Sequence, residues 1–375
     1  MSNASARRRP LYAVVLAAGE GSRMKSQRPK PLHRLCGKPM LAYVLESLET
    51  SSVDEVAIVV GHKADVVTKK IGEQPLRVPI HFAYQDVQRG TGDAAQIGLS
   101  GLPEEIDEDS DVIVLPGDAP LLRAETIREL IDQHRDNGVA ATVLTAELDD
   151  PTGYGRVVRG RSGNVVGIVE QKDGSPEELA IREVNTSIYV FKRSLLTPAL
   201  RRLTPDNAQG EYYLTDVVKV LAEAGHAVDS LVCSSPEEAS GVNDRLQLAY
   251  AEREMRRRTN DSLMRSGVSM LDPDTTYVET TVRVGLDVTL FPGVILQGRT
   301  VIGDGSEIGQ NTRLVDCTVG RDVEIEASVG REATIGDAAV VGPFASLARG
   351  TEVTAGAVTG PFYNSIDNQS LAHKL

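Results

Sequence analysis

Leu16-Ala-Ala-Gly-Glu-Gly-Ser-Arg-Met24, leading on to Arg28-Pro-Lys-Pro-Leu32, follows an apolar run at residues 12–16. The run reads as a buried parallel strand. A glycine-rich turn behind such a strand can bring backbone N–H groups against a phosphate chain with no Cβ in the way. Arg23 and Lys30 add fixed positive charge at the same end. No Gly-Lys-Ser/Thr closes the loop, so it is not a Walker loop. Arg23–Met24 stands where the dinucleotide fingerprint needs glycine. Most glycine turns bind nothing, but with Arg23 and Lys30 in register a phosphate cradle is the better reading.

Outward from this loop, strand and helix patterns alternate from residue 12 to about residue 235. Residues 56–60, 81–84, 111–115 and 141–145 read as short buried strands. Residues 40–48, 65–71, 91–99 and 124–134 carry apolar side chains at helical spacing. This alternation predicts a parallel sheet covered on both faces, with ligands at the carboxyl ends of the strands. A two-stranded excursion follows at 155–158 and 165–170, then a strand at 187–191 and helices across 195–203 and 212–224. A charged helix runs from Gly241 to about Arg265. It lacks an apolar heptad and reads as a solvated linker.

Further on, the period changes. Apolar residues recur every six positions at Val284, Leu290, Leu296, Ile302, Ile308 and Leu314. The register slips at Val319, which leads to Ile325, and again at Val329, which leads to Ile335, Val341, Leu347 and Val353. Hexapeptide repeats of this kind predict a parallel β-helix of about four coils. The expected organisation is an extension at 1–10, an α/β domain at 11–242 and a linker helix at 243–273. The β-helix at 274–358 and an irregular tail at 359–375 complete it.

Composition narrows the function. The chain has 375 residues, 41% hydrophobic and 25% charged, and so has room for two domains. A formal net charge of −13 argues against nucleic acid or an anionic membrane as partner. No stretch approaches the roughly 20 apolar residues of a membrane span. Arg7, Arg8 and Arg9 are not followed by the apolar run of a secretory signal. Cys36, Cys233 and Cys317 are too scattered for a disulfide framework or a zinc site, so a cytoplasmic location is expected. An acidic chain that holds a polyphosphate must gather positive charge locally, and a divalent cation would help.

Seven further motifs occur in order. They are Gln85-x-x-Gln88-x-Gly-Thr-Gly92, Gly117-Asp118-x-Pro-Leu121, Gly153-Tyr-Gly-Arg156, Gly167-Ile-Val-Glu170, Val184-Asn185-Thr186, the segment 207–216, and Gly241-Val-Asn243 with its continuation to Gln247. With the glycine loop and the hexapeptides, they make the chain resemble the bacterial N-acetylglucosamine-1-phosphate uridylyltransferases. That family joins a Rossmann-like nucleotidyltransferase domain to a left-handed β-helix, commonly with a glucosamine-1-phosphate acetyltransferase site on the helix. The resemblance implies formation of UDP-N-acetylglucosamine, a cell-wall precursor, and pyrophosphate from UTP and N-acetylglucosamine 1-phosphate.

The resemblance also carries site residues over. Leu16, Ala17, Ala18, Gly19 and Gly21 would hold the nucleotide, with Arg23 and Lys30 as the catalytic cations that neutralise the phosphates. Asp118 and Asn243 would hold Mg²⁺, and Asn243 would also touch substrate. Gln85, Gln88, Gly90 and Thr91 match the stretch that contacts uracil. An amide side chain offers both a donor and an acceptor to a base edge, while a loop capping a helix at Thr91 is a plainer role for the same residues. Gly155, Glu170 and Asn185 match the sugar-binding positions. Family members assemble as trimers through the β-helix, and a homotrimer is expected here.

Two departures bear on function. Ser187 stands where the family usually has glycine, which adds a side chain near the sugar pocket. The acetyl-transfer site of the family needs a histidine base, yet none of the six histidines (His33, His62, His81, His134, His226 and His373) falls among the hexapeptides. Without a general base, acetyl transfer loses a rate factor of at least about 100-fold, so that activity is expected to be absent. Competing readings are a nucleotidyltransferase for another base or sugar 1-phosphate, and a non-catalytic trimer that only senses a UDP-sugar.

Overall fold

The computed structural model describes residues 9–103 and 109–366. The arginines at 7 and 8 and the tail histidine His373 lie outside the described residues. The chain divides into two compact units, one of residues up to His33 with Lys38–Ala251, the other of Arg34–Gly37 with Glu252 onward.

The first unit is a three-layer α/β domain. In chain order its elements are β1 (Leu11–Leu16), α1 (Met40–Thr50), β2 (Glu55–Val60), α2 (Ala64–Gly72), β3 (Ile80–Tyr84) and α3 (Thr91–Ser100). They continue as β4 (Asp111–Pro116), α4 (Ala124–Asn137), β5 (Ala141–Glu147), β6 (Arg156–Arg159) and β7 (Val165–Val169). The last are α5 (Pro176–Leu179), β8 (Glu183–Lys192), α6 (Arg193–Leu200), α7 (Asp216–Glu223) and β9 (Val228–Val232). The sheet order is β9-β5-β8-β4-β1-β2-β3, with β6 and β7 branching from β8. β1 lies between β2 and β4 and is parallel to both. β8 runs antiparallel to β4 and β5.

Two-residue periodicity along β1 explains why the sheet is buried on both faces. Tyr12 and Val14 join a cluster with α3, α6 and α7. Leu11, Ala13 and Val15 join the opposite cluster, which holds the apolar faces of α1, α2 and α4. Strand β9 was not foreseen. Its side chains Asp229, Ser230 and Leu231 are only half-buried, as expected of a sheet edge that carries a weak apolar signal. The helix α8 (Arg245–Arg265) begins four residues later than the charged pattern predicts.

The second unit contains three parallel sheets of five strands each. Strands at Thr289–Leu290, Glu307–Ile308, Glu324–Ile325 and Val340–Val341 stack in one column above Ser269–Met270. The other two columns repeat the pattern, so each turn of chain lays one strand on each of three faces. This is the parallel β-helix of the hexapeptide reading, with five strand layers instead of four coils. Isolated bridges Val340–Val358 and Ser346–Asn364 extend the stacking. Leu290, Leu296, Ile302, Ile308, Leu314, Val319, Ile325, Ile335, Val341, Leu347 and Val353 are all buried in its core.

One inward position was misread. Val329 is 52% exposed, and Gly330 takes the core place between Leu314 and Leu347. A Cβ on Gly330 would sit 3.0 Å from the Leu314 side chain and 3.2 Å from Cys317 Sγ. The second slip in register is therefore a glycine layer, hidden from a search for large apolar residues. At the corners Asp287, Asn311 and Asp322 have positive φ, the conformation Asp and Asn tolerate best.

Candidate active site

β1 ends among its neighbours at the carboxyl edge of the sheet. Ala17 N–H donates to Val59 O at 2.9 Å, and Gly117 N–H donates to Leu16 O at 2.9 Å. The loop beyond them borders a cleft of about 340 Å³, within the usual size of a small-molecule site. Leu16, Ala17, Ala18 and Gly19 line it. A Cβ on Gly19 would meet nothing within 4 Å, so no protein packing requires glycine there. Gly21 is different. Its φ is +66°, and a Cβ would lie 2.6 Å from Lys30 Cβ, so glycine makes room for the lysine stem.

Lys30 reaches the cleft from the short 3₁₀ turn Lys30–Leu32, stiffened by Pro29 and Pro31. Its ammonium donates to Asn243 Oδ1 at 2.8 Å and forms an ion pair with Asp118 Oδ2. Arg23, on the turn Ser22–Met24, donates from Nη2 to the same Asn243 Oδ1 at 2.9 Å. Asn243 is more than a hundred residues from Asp118 in sequence, yet Val242 N–H donates to Asp118 O at 2.8 Å and brings them together. Asn243 N–H is held in turn by Gln247 Oε1 at 2.7 Å. Two cations and two oxygen donors thus meet at one point. Lys30 and Asp118 line the cleft, whereas Gly21, Arg23 and Asn243 are not among its lining residues.

Gln85, Gln88, Gly90 and Thr91 also line the cleft. Gln85 is 4% exposed, and its Nε2 donates to Asp93 Oδ2 at 2.8 Å and Gly90 O at 3.3 Å. Gln88 Nε2 donates to Ala18 O at 2.8 Å. Gln85 spends its amide N–H groups inside the protein, so what it has left for any ligand is its carbonyl oxygen. Gly90 has φ +113°, and a Cβ there would stand 2.5 Å from Tyr212 O. Thr91 does not cap its helix: α3 has Gly90 at its N-cap with no side-chain cap, and Thr91 Oγ1 accepts instead from Leu214 N–H at 3.0 Å.

At the far end, Glu170 lines the cleft and Gly155 sits beside it, where a Cβ would lie 3.5 Å from Glu170 Oε2. Glu170 Oε1 accepts from the Thr215 hydroxyl at 3.0 Å. Burial, with Asp216 and Asp173 nearby, raises the Glu170 carboxyl above the ordinary range. Asn185 N–H donates to Gly155 O at 2.9 Å. Its side chain is set back, 4% exposed, and the cleft surface is formed by Ser187 and Tyr189 of the same strand. Sequence reasoning gave no role to Tyr189, Thr215, Glu211 or Leu214, all of which line the cleft. The last three belong to the motif at 207–216, a signal that was visible without a role attached.

The residues fit a hard divalent cation. A carboxylate and an amide oxygen already converge on a cation, Lys30 Nζ, and Mg²⁺ takes few protein oxygens beside phosphate and water. Among the described residues, no cluster of three or more His, Cys, Asp or Glu side chains could hold a metal alone. Water or phosphate oxygens would have to complete any shell here. No described helix is long and apolar enough to cross a membrane.

Residues 13–211 match the model of the MobA-like NTP transferase domain. The chain is 44% identical over 337 residues to the bifunctional protein GlmU of Caldanaerobacter subterraneus subsp. tengcongensis, covering 90% of this chain and 72% of that protein. It is 44% identical over 355 residues to the protein of the same name from Streptomyces avermitilis, covering 94% and 73%. With that of Carboxydothermus hydrogenoformans it shares 44% over 352 residues, covering 94% and 77%. A nucleotidyltransferase domain ahead of a parallel β-helix, matched along most of its length at this identity, places the chain in the GlmU family as a nucleotidyltransferase.

Proposed function

We propose that the chain joins UTP to N-acetylglucosamine 1-phosphate, releasing pyrophosphate. The observation that carries this reading is the meeting of Lys30, Arg23, Asp118 and Asn243 beside the glycine loop. In the reaction a phosphate oxygen of the sugar attacks the α-phosphorus of UTP, and the bond from that phosphorus to the bridging oxygen of pyrophosphate breaks. Such transfer depends on alignment and charge neutralisation more than on covalent help.

The Gly19–Gly21 turn holds the triphosphate by backbone N–H groups, and Lys30 and Arg23 neutralise charge that builds on the phosphates and the leaving pyrophosphate. Asp118 and Asn243 would hold Mg²⁺, which supplies further charge neutralisation at the phosphates. Gln85 offers a carbonyl oxygen, which accepts from the N3–H of uracil; cytosine has no proton there. Gly90 and Thr91 close over the base, and the backbone at Leu16, Ala17 and Ala18 carries the nucleoside. Gly155, Glu170 and Asn185 form the end that receives the sugar.

The second unit supports assembly as a homotrimer, which light scattering after gel filtration would read directly. Residues 269–366 include no histidine, so no acetyl transfer is assigned to these coils. Acetyl-CoA with glucosamine 1-phosphate should release no free CoA. The decisive assay is pyrophosphate release with UTP, Mg²⁺ and a panel of sugar 1-phosphates. Turnover should be fastest with N-acetylglucosamine 1-phosphate, and no turnover with that substrate would sink the proposal.

A further inference from the structure

We propose that the Tyr189 hydroxyl is a specificity-determining group that donates a hydrogen bond to an acceptor oxygen of the sugar, and that Asn185 acts by directing it. The inference rests on the reading of the Glu170 end of the cleft as the sugar site.

Both ends of the Asn185 amide are engaged within its own strand. Oδ1 accepts from Ser187 N–H at 3.0 Å, and Nδ2 donates to the Tyr189 hydroxyl at 2.7 Å. The first bond is made possible by a bulge: pairing of β8 with β5 breaks between Asn185 and Ile188, and Ser187 has φ +63°. A bulge of this kind re-aims side chains beside a site. It lets Asn185 and Tyr189 approach each other on one side of the strand while Ser187 faces the cleft.

The proton bookkeeping then fixes the role of the phenol. A tyrosine hydroxyl has one proton to give and lone pairs to accept with. Because Asn185 donates into the oxygen, the Tyr189 proton must point elsewhere. Tyr189 lines the cleft, with the Ser187 hydroxyl and the Glu170 carboxylate among its neighbours. The ring is 1% exposed and stacks on Phe191 with centroids 5.5 Å apart. The ring is therefore held in place before ligand arrives, which lowers the entropy cost of recognition. Asn185 itself, set back from the cleft, is a positioning residue on this account.

Tyr189→Phe keeps the ring and its stack and removes only the hydroxyl. The sugar 1-phosphate KM should rise about 5- to 10-fold, the scale of one hydrogen bond. The KM for UTP and the kcat should stay within about twofold. Asn185→Ala should raise the same KM, and adding it to Tyr189→Phe should cost less than a further factor of about two, because residues acting as one unit are not additive. In the wild-type protein, sugar 1-phosphate should produce a tyrosine difference band in the near ultraviolet that Tyr189→Phe lacks. A merely structural tyrosine would give neither the KM split nor the band.

Glu170→Gln separates the two possible failures. If it raises the sugar KM while Tyr189→Phe does not, the inference about Tyr189 is wrong and the sugar site stands. If Glu170→Gln, Asn185→Ala and Tyr189→Phe all leave the sugar KM unchanged, the reading of this end as the sugar site falls, and the inference falls with it. If the effects of Asn185→Ala and Tyr189→Phe multiply, Asn185 does not act through Tyr189.

Discussion

The Lys30 ammonium forms an ion pair with Asp118 Oδ2 and also donates to Asn243 Oδ1, so in the free protein a lysine occupies the point on which both oxygen donors converge. A divalent ion approaching these oxygens competes with a positive charge already seated there. In the proposed reaction the triphosphate would offer Lys30 another partner, which would link cation entry to nucleotide binding.

Lys30→Met should therefore have two opposite effects. Pyrophosphate release should fall about 100-fold or more, since a positioned charge at the transition state is lost. Binding of Mn²⁺ to the nucleotide-free protein, followed by its paramagnetic resonance signal, should tighten several-fold because the competing cation is gone. Unchanged or weaker Mn²⁺ binding would refute the competition.

Asp118→Asn preserves the size of the side chain but removes its charge. The group is partly exposed at 19%, so the fold should survive, with circular dichroism and Tm close to wild type. Pyrophosphate release should drop about 100-fold, and Mn²⁺ binding should weaken with it. Near-normal rates would remove Asp118 from the metal site.

The two loop glycines should separate ligand effects from folding effects. Gly19→Ala places a methyl group in open space, so Tm should hold while the KM for UTP rises and turnover falls. Gly21→Ala combines a left-handed backbone with a 2.6 Å approach to Lys30 Cβ. It should lower Tm by a few degrees, the scale of about 1 kcal/mol, and displace the lysine. If Gly19→Ala lowers Tm as much as Gly21→Ala does, the open space at Gly19 has no bearing on ligand.

The difference between these two glycines also marks what a sequence can disclose. The family resemblance of separate short motifs was enough to name Lys30, Asp118 and Asn243 as a set, and the fold brings the three together. Which donor was already spent was not legible. Gln85 commits its N–H groups to Asp93 and Gly90, and Thr91 bonds Leu214 N–H instead of capping α3. Both facts depend on partners brought close only by the fold. Tyr189 was hidden for a related reason: it sits in an apolar strand pattern, and the bulge at Ser187 beside it leaves no composition signal.

Glu170 gives a pH-dependent prediction. Its carboxyl is raised by burial and by neighbouring Asp216 and Asp173. A carboxyl raised on folding favours the folded state while it is protonated, and that contribution is lost as pH rises through the folded value. At neutral pH the buried carboxylate is therefore a cost. Glu170→Gln should raise Tm at pH 7 relative to wild type, and the gap should close as pH falls below the ordinary carboxylate range. The same variant should bind sugar 1-phosphate less well. A Tm gap that is constant with pH would contradict the burial argument.

The β-helix register can be tested at adjacent positions. Val329 points outward and is 52% exposed, whereas Gly330 fills the core layer between Leu314 and Leu347. Exposed apolar substitutions usually change stability by less than about 0.5 kcal/mol, whereas overpacking a filled core costs about 1–3 kcal/mol. Val329→Thr should leave the unfolding transition of the β-helix in place. Gly330→Val adds branched carbons where a single Cβ already stands 3.0 Å from Leu314 and 3.2 Å from Cys317, and it should lower that transition by several degrees. Because this layer is remote in sequence from the nucleotide loop, pyrophosphate release at low temperature should remain. The reverse order of effects would mean that Val329 faces the core, as the six-residue spacing alone had indicated.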